Sequence, residues 1–155
     1  MIRRARPDEA GAMRDVVLSA YERYVAVIGT EPAPMLDDYA VRIAADQAWV
    51  LQDAGTIAGV LILENQPDRY LLDNIAIHPD RQGRGFGRML LDFAETEAAR
   101  HGHNAITLYT NALMVENIAI YAARGYIVQT RRTEKGFDRV YMQKPLVRPS
   151  SGAPA

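Results

Sequence analysis

The stretch Arg81-Gln82-Gly83-Arg84-Gly85-Phe86-Gly87-Arg88 sets three glycines at alternate positions among three arginines. Before it lies an apolar run, Tyr70 to Ile77; after it Phe86, Leu90, Phe93, Ala94 and Ala98 recur at helical spacing. A strand, a glycine turn and a helix are predicted in that order. Glycine accepts positive φ and lets a ligand come close to the backbone. A helix starting here leaves its first amide N–H groups unpaired and its positive dipole end exposed. These features predict an anion site, for which phosphate is the usual occupant. A Walker loop is excluded, because it needs Gly-Lys-Ser/Thr where this chain has Arg88-Met89. The dinucleotide fingerprint fails as well, since its third glycine would fall on Arg88. A glycine turn that binds nothing is the plainer alternative, and the arginines weigh against it.

Outward from the loop, the pattern alternates strands and helices. Ile2 to Arg6 reads as a first strand, and Pro7-Asp8 opens a helix in which Met13, Val16, Val17, Ala20, Tyr21 and Tyr24 recur with helical period. Gly29 and Pro32-Ala33-Pro34 end it, and a short helix over about Asp37 to Ala45 follows. Ala48 to Gln52 and Thr56 to Leu63 form a predicted hairpin turning at Asp53-Ala54-Gly55. Past the loop helix, Ala105 to Thr110 is a strand and Val115 to Ala122 a short helix ended by Gly125. Tyr126 to Thr130 and Arg139 to Gln143 complete the strands. The expected class is α/β, a mixed sheet with helices packed on it, in one domain over residues 1–146. The segment 147–155 is expected to be a disordered tail.

The 155 residues are 48% hydrophobic and 24% charged, ordinary for a soluble domain. With no cysteine, disulfide scaffolds, thiolate zinc sites and cysteine nucleophiles are excluded. The net charge of -1 gives no field favouring nucleic acid or an anionic membrane, so neither is an expected partner. Met1 to Pro7 lacks the apolar middle of a secretion signal, and the expectation is a cytoplasmic protein. His78, His101 and His103 have no carboxylate completing a metal set, so no metal is expected.

Gln82-Gly83-Arg84-Gly85-Phe86-Gly87 resembles the Gln/Arg-x-x-Gly-x-Gly/Ala signature of the GNAT superfamily of acyl-CoA-dependent N-acyltransferases. Asn74-Ile75-Ala76-Ile77-His78-Pro79 is similar to that family's fourth strand, and Tyr121-Ala122-Ala123-Arg124-Gly125-Tyr126 to its Tyr-x-x-x-Gly-Phe/Tyr segment. The resemblance implies a mostly antiparallel central sheet, splayed between the fourth and fifth strands and flanked by about four helices. It implies acetyl-CoA as acyl donor, with Gln82, Gly83, Arg84, Gly85, Phe86, Gly87 and Arg88 around its pyrophosphate. Backbone groups of Ile75, Ala76 and Ile77 would pair with pantetheine as an added strand does.

By the same resemblance, Tyr121 is the acid that protonates the leaving thiolate; its alternative is a buried tyrosine packing beside Gly125. Many members carry an asparagine seven residues before this tyrosine, where this chain has Met114. Asn117, on the same helix face as Tyr121, and Asn111 are the candidates to replace it. An ammonium acceptor must lose a proton before attack, and Asp73, set inside the apolar fourth strand, is the candidate base or amine anchor. An ion pair with Arg69 or a local turn bond is its structural alternative. Glu116 is a further base candidate. Tyr21, Glu22, Tyr24, Asp37 and Asp38 lie where the family builds its acceptor cleft. The implied activity is acetyl transfer from acetyl-CoA to a primary amine of a small molecule or peptide through a ternary complex. The alternative is an acyl-CoA-binding regulatory module without transfer, and a homodimer is left open.

Overall fold

The computed structural model describes residues 1–147; the expected disorder at 147–155 falls, but for Val147, outside them. The strands are β1 (Ile2–Arg4), β2 (Ala48–Asp53), β3 (Thr56–Asn65), β4 (Tyr70–Ile77), β5 (Ala105–Asn111), β6 (Ile127–Glu134) and β7 (Phe137–Pro145). The helices are α1 (Ala10–Tyr21), α2 (Tyr24–Ile28), α3 (Tyr39–Ala44), α4 (Phe86–Arg100) and α5 (Val115–Ala123). Hydrogen bonding orders the sheet β1-β2-β3-β4-β5-β7-β6. The class is the expected mixed α/β, with helices flanking one seven-stranded sheet. Chain contacts define two compact units, Met1–Leu63 with Asp73–Asp92, and Glu64–Leu72 with the chain from Phe93.

In the first unit, Met13, Val16, Val17 and Ala20 stand one helical turn apart and are buried, which makes α1 a one-faced helix. They form a core with Tyr39, Ala48, Val50, Val60, Ile62 and Ala76. The helix opens differently from expectation. Pro7–Glu9 is a 3₁₀ turn, and the Glu9 carboxylate reaches back to accept from the Arg6 amide at 2.7 Å. The same carboxylate takes two bonds from Arg3, whose guanidinium lowers its pKa to about 2. The long helix expected up to Gly29 is split into α1 and α2, because Val25 N–H bonds three residues back to Glu22 O instead of four.

β2 and β3 pair antiparallel, and the turn between them places Ala54 at φ +51° and Gly55 at φ +81°. Two positive values in succession make the tight hairpin that the Asp53-Ala54-Gly55 signal predicts. Behind it, Gly59 is pressed by neighbours. A Cβ there would lie 3.0 Å from Ile77 Cδ1, 3.1 Å from Leu90 Cδ1 and 3.3 Å from Leu51 Cβ. Gly59→Ala is therefore expected to lower stability by roughly 1–3 kcal/mol through overpacking, read by chemical denaturation. A parent-like midpoint would mean that Ile77 and Leu90 give way at no cost.

In the second unit, β4 pairs parallel to β5 through Leu71↔Thr107 and Leu72↔Leu108. That ladder is short for a strand of eight residues. β7 lies between β5 and β6, antiparallel to both. Both final strands run longer than expected, to Glu134 and from Phe137, around a turn at Lys135 and Gly136. Among the described residues β6 pairs on one side only, and six of its eight residues are exposed. Its polar run Arg131-Arg132-Thr133 therefore carries no apolar alternation to mark it as a strand. Among the described residues no helix is long and apolar enough to cross a membrane.

Candidate active site

Alternation along β4 sorts its residues by face. Asn74 and Ala76 are buried, while Asp73, Ile75 and Ile77 are partly exposed on the other side. A 3₁₀ turn, Pro79–Arg81, leads out of the strand, its start capped by His78 Nδ1 accepting from the Asp80 amide at 3.1 Å. Gln82 then reaches back to donate to the Ile77 carbonyl at 3.2 Å. Gly83 and Gly85 follow at φ +78° and +82°, left-handed values that a side chain resists. A Cβ at Gly83, Gly85 or Gly87 would meet nothing within 4 Å, so the backbone here is open to approach. Met89 N–H bonds to Gly85 O as the first α-type bond of α4, which leaves the preceding amides without intrahelical acceptors.

The three arginines divide. Arg81 donates to Asp53 Oδ2 and to Thr56 Oγ1, both at 2.8 Å, and is tied to the hairpin. Arg84 is half exposed, reaches the same Asp53 oxygen at 3.3 Å and lies 5.2 Å over the Phe86 ring. Arg88 is exposed. Asp53 thus stands as a built-in counter-charge to two of the loop cations, a partner that sequence spacing did not point to.

The expected acceptor residues sit in the same unit. Asp73 is bonded through Oδ2 to Arg42 at 2.9 Å, and Arg69 bonds Gln66. Arg42 also holds Asp37 at 2.9 Å, so one guanidinium serves two carboxylates. Asp38 caps α3 by accepting from the Val41 amide. Tyr21 donates to Asn74 Oδ1 at 2.8 Å and to the Ile75 carbonyl at 3.2 Å. Its ring lies 6.2 Å from that of Tyr24, and Tyr24 accepts a bond from Arg23. Glu22 is exposed at the end of α1. Tyr39, buried, donates to the Pro34 carbonyl and accepts from Asn74. Burial raises the Tyr39 hydroxyl far above the ordinary phenol range, and the carboxylates of Asp37 and Asp73 push the same way. Tyr39 and Arg42 carry no motif, and Asn74 stands in the fourth-strand resemblance without an assigned role; two adjacent polar residues inside an apolar strand are the one available signal.

In the second unit, Tyr121 is 8% exposed near the end of α5, its ring edge-on to Tyr126 at 5.9 Å. Gly125, at φ +104°, closes the helix, and Tyr126 N–H bonds back to the Tyr121 carbonyl. Glu95 collects three donors: Arg124 at 2.7 Å, Lys144 at 2.9 Å and the Tyr126 hydroxyl at 3.0 Å. Burial works to raise the Glu95 carboxyl, but the bonds from Arg124 and Lys144 prevail and hold it low. Burial, and then Glu95 itself, raise the Tyr126 hydroxyl, which stays protonated as a structural donor.

Asn111 ends β5 and accepts from the Leu113 amide at 2.9 Å, shaping the turn into α5. Asn117 is half-buried on α5, and Glu116 is exposed in its first turn. Met114, at the asparagine position of the resemblance, is buried and touches Thr110 Oγ1 through sulfur. His101 and His103 flank the Tyr70 ring, and His103 pairs with Asn65 at 2.7 Å. Among the described residues no group of three His, Cys, Asp or Glu side chains is placed to hold a metal.

Three comparisons bear on these arrangements. The sequence profile of the acetyltransferase (GNAT) family matches residues 13–126. An uncharacterised N-acetyltransferase of Bacillus subtilis, YvbK, is 26% identical over 110 residues, covering 70% of this chain and 69% of that one. The crystal structure of the ribosomal-protein-S18-alanine N-acetyltransferase from Escherichia coli superposes with a TM-score of 0.76 at 21% identity, over 98% of this chain and 97% of that one. The PaiA N-acetyltransferase from Thermoplasma acidophilum, solved in complex with coenzyme A, gives a TM-score of 0.77 at 17% identity, over 94% and 98%. At such identities the two structures speak to the fold alone.

Proposed function

The chain belongs to the GNAT family of acetyltransferases, and from that premise we propose that it moves an acetyl group from acetyl-CoA to a primary amine within a ternary complex. The observation that carries the reading is the turn at Gly83 and Gly85, left-handed at both positions, open above its backbone and feeding the N-terminus of α4. Such a cradle fits a diphosphate held by main-chain nitrogens. Acetyl-CoA, when bound, supplies the activated thioester carbonyl.

The residues of the chain divide the remaining tasks. Amides between Gln82 and Arg88 hold the pyrophosphate, with Arg84 and Arg88 adding charge. Backbone groups of Ile75, Ala76 and Ile77 orient the pantetheine arm as an added strand would. Asp73, on the partly exposed face of β4, attracts the ammonium, and its carboxylate or a water it orders takes the proton. Its bond to Arg42, which also holds Asp37, supports the reading by fixing both carboxylates in one cluster. Tyr121 gives its hydroxyl proton to the leaving sulfur. Asn117 and Asn111 are the proposed polar contacts to the coenzyme from α5 and from the end of β5. Tyr21, Glu22, Tyr24 and Asp37 line the acceptor side.

The reading is tested by calorimetry with CoA and by thiol release from acetyl-CoA across an amine panel: spermidine, L-lysine, kanamycin and an alanyl hexapeptide. Heat with CoA and thiol release with at least one amine are expected. No heat would remove the loop assignment. Heat without transfer to any amine would leave a binding module in place of an enzyme.

A further inference from the structure

A chain of buried and part-buried hydrogen bonds in the first unit fixes the polarity of the hydroxyl at its end. Its anchor is the Pro34 carbonyl, which can only accept. The Tyr39 hydroxyl lies 2.7 Å from that oxygen and must spend its one proton there. The Tyr39 oxygen, thus limited to accepting, meets Asn74 Nδ2 at 3.1 Å. That contact settles which end of the amide points where, so Asn74 Oδ1 faces Tyr21 at 2.8 Å. The Tyr21 proton is drawn to Oδ1, with the Ile75 carbonyl, another pure acceptor, at 3.2 Å from the same hydroxyl.

Reversing the chain is costly at a definite place. With the amide turned over, Asn74 Oδ1 and the Pro34 carbonyl would compete for the single Tyr39 proton. Both Tyr39 and Asn74 are 3% exposed, so water cannot serve the loser. Burial also keeps the Tyr39 hydroxyl protonated, so its donor is always present. Any further bond at the Tyr21 oxygen is therefore one that it accepts.

We propose that Tyr21 is a specificity determinant that takes an N–H of the acceptor amine on its hydroxyl oxygen. Asn74 and Tyr39 are positioning residues that set its polarity without touching substrate. The inference rests on the amine-acetylation reading and adds to it the requirement for an N–H donor. A carboxylate such as Asp73 attracts any cation. An oxygen limited to accepting distinguishes a cation bearing N–H from one without.

The test uses the full chain saturated with CoA and calorimetric binding of two probes. These are the N,N-dimethyl and N,N,N-trimethyl derivatives of whichever panel amine is acetylated fastest. At the derivatised nitrogen both carry the same charge and neither can be acetylated, but only the first has an N–H there. The parent is expected to bind the dimethyl probe about 10-fold or more tightly than the trimethyl one, as suits one hydrogen bond from a charged donor. Tyr21→Phe should bring the ratio near one, and Tyr39→Phe should reduce it, while affinity for CoA stays within about twofold of the parent in each. A merely structural role would weaken both probes alike and leave their ratio standing. A parent that does not distinguish the probes, or binds neither, overturns the inference, as does a Tyr21→Phe chain that keeps the parent ratio. If Tyr39→Phe fails to fold, Tyr21→Phe alone decides. Failure of the broader reading looks different: no panel amine is acetylated at all.

Discussion

With alanine at both Gly83 and Gly85, the chain is expected to bind CoA about 30- to 1,000-fold more weakly than the parent. Each left-handed residue with a Cβ carries about 1–2 kcal/mol of strain, and every 1.4 kcal/mol is tenfold in affinity. The strain reaches the binding constant because of where the turn sits. Residues 82 to 85 are exposed, and an added methyl at either glycine meets no packed neighbour that would hold the turn in its present shape. The free loop relaxes by swinging its peptides away, and binding must then restore the strained turn. Thermal stability should change little for the same reason. Calorimetry with CoA beside a melting curve checks both halves. An unchanged dissociation constant in a folded double variant would mean that these amides are not what holds the anion.

Tyr121→Phe is the second large effect, and it falls on turnover instead of binding. Removing a general acid costs about 10²–10⁴-fold, and a decrease in kcat of at least about 100-fold is expected. The phenyl ring keeps the edge-on contact with Tyr126, and α5 keeps its closure at Gly125. Affinity for acetyl-CoA should therefore stay within about twofold of the parent. The shape of the pH profile separates chemistry from packing. A phenol that must be protonated to act gives the parent a falling alkaline limb in kcat, and that limb should be absent from the variant. If Tyr121→Phe turns over at the parent rate at every pH, the proton reaches the sulfur from elsewhere.

The features legible in the sequence were local ones. The hairpin at Asp53-Ala54-Gly55, the glycine turn and the end of α5 each occupy a few consecutive residues whose backbone preferences fix the geometry. The break between α1 and α2 carries no sequence signal, because apolar spacing runs on through Tyr24 and the break is one tightened hydrogen bond at Glu22. β6 was cut short because an exposed strand paired on one side has no buried face to alternate with. The site divided along the same line. The loop residues follow one another in sequence. The partners of Asp73, of Arg81 and of Tyr21 lie 31, 28 and 53 positions away, in Arg42, Asp53 and Asn74. No spacing rule reaches across such separations; only the folded sheet brings those groups together.

β6 also bears on how the chain behaves when crowded. Bonded on one side only among the described residues, as β1 is at the opposite edge, it leaves its other flank open to an extended peptide. The flank is poorly suited to being copied. A bulge interrupts the ladder between Val128 and Thr130, directly after the exposed aliphatics Ile127 and Val128. Beyond it Arg131 is paired with Asp138 and Arg132 lies 5.0 Å over the Tyr141 ring, so a second copy laid along this rim would meet kinked backbone and charged side chains already engaged. The polar run that hid this strand from a reader of the sequence is also what guards it against fibril growth.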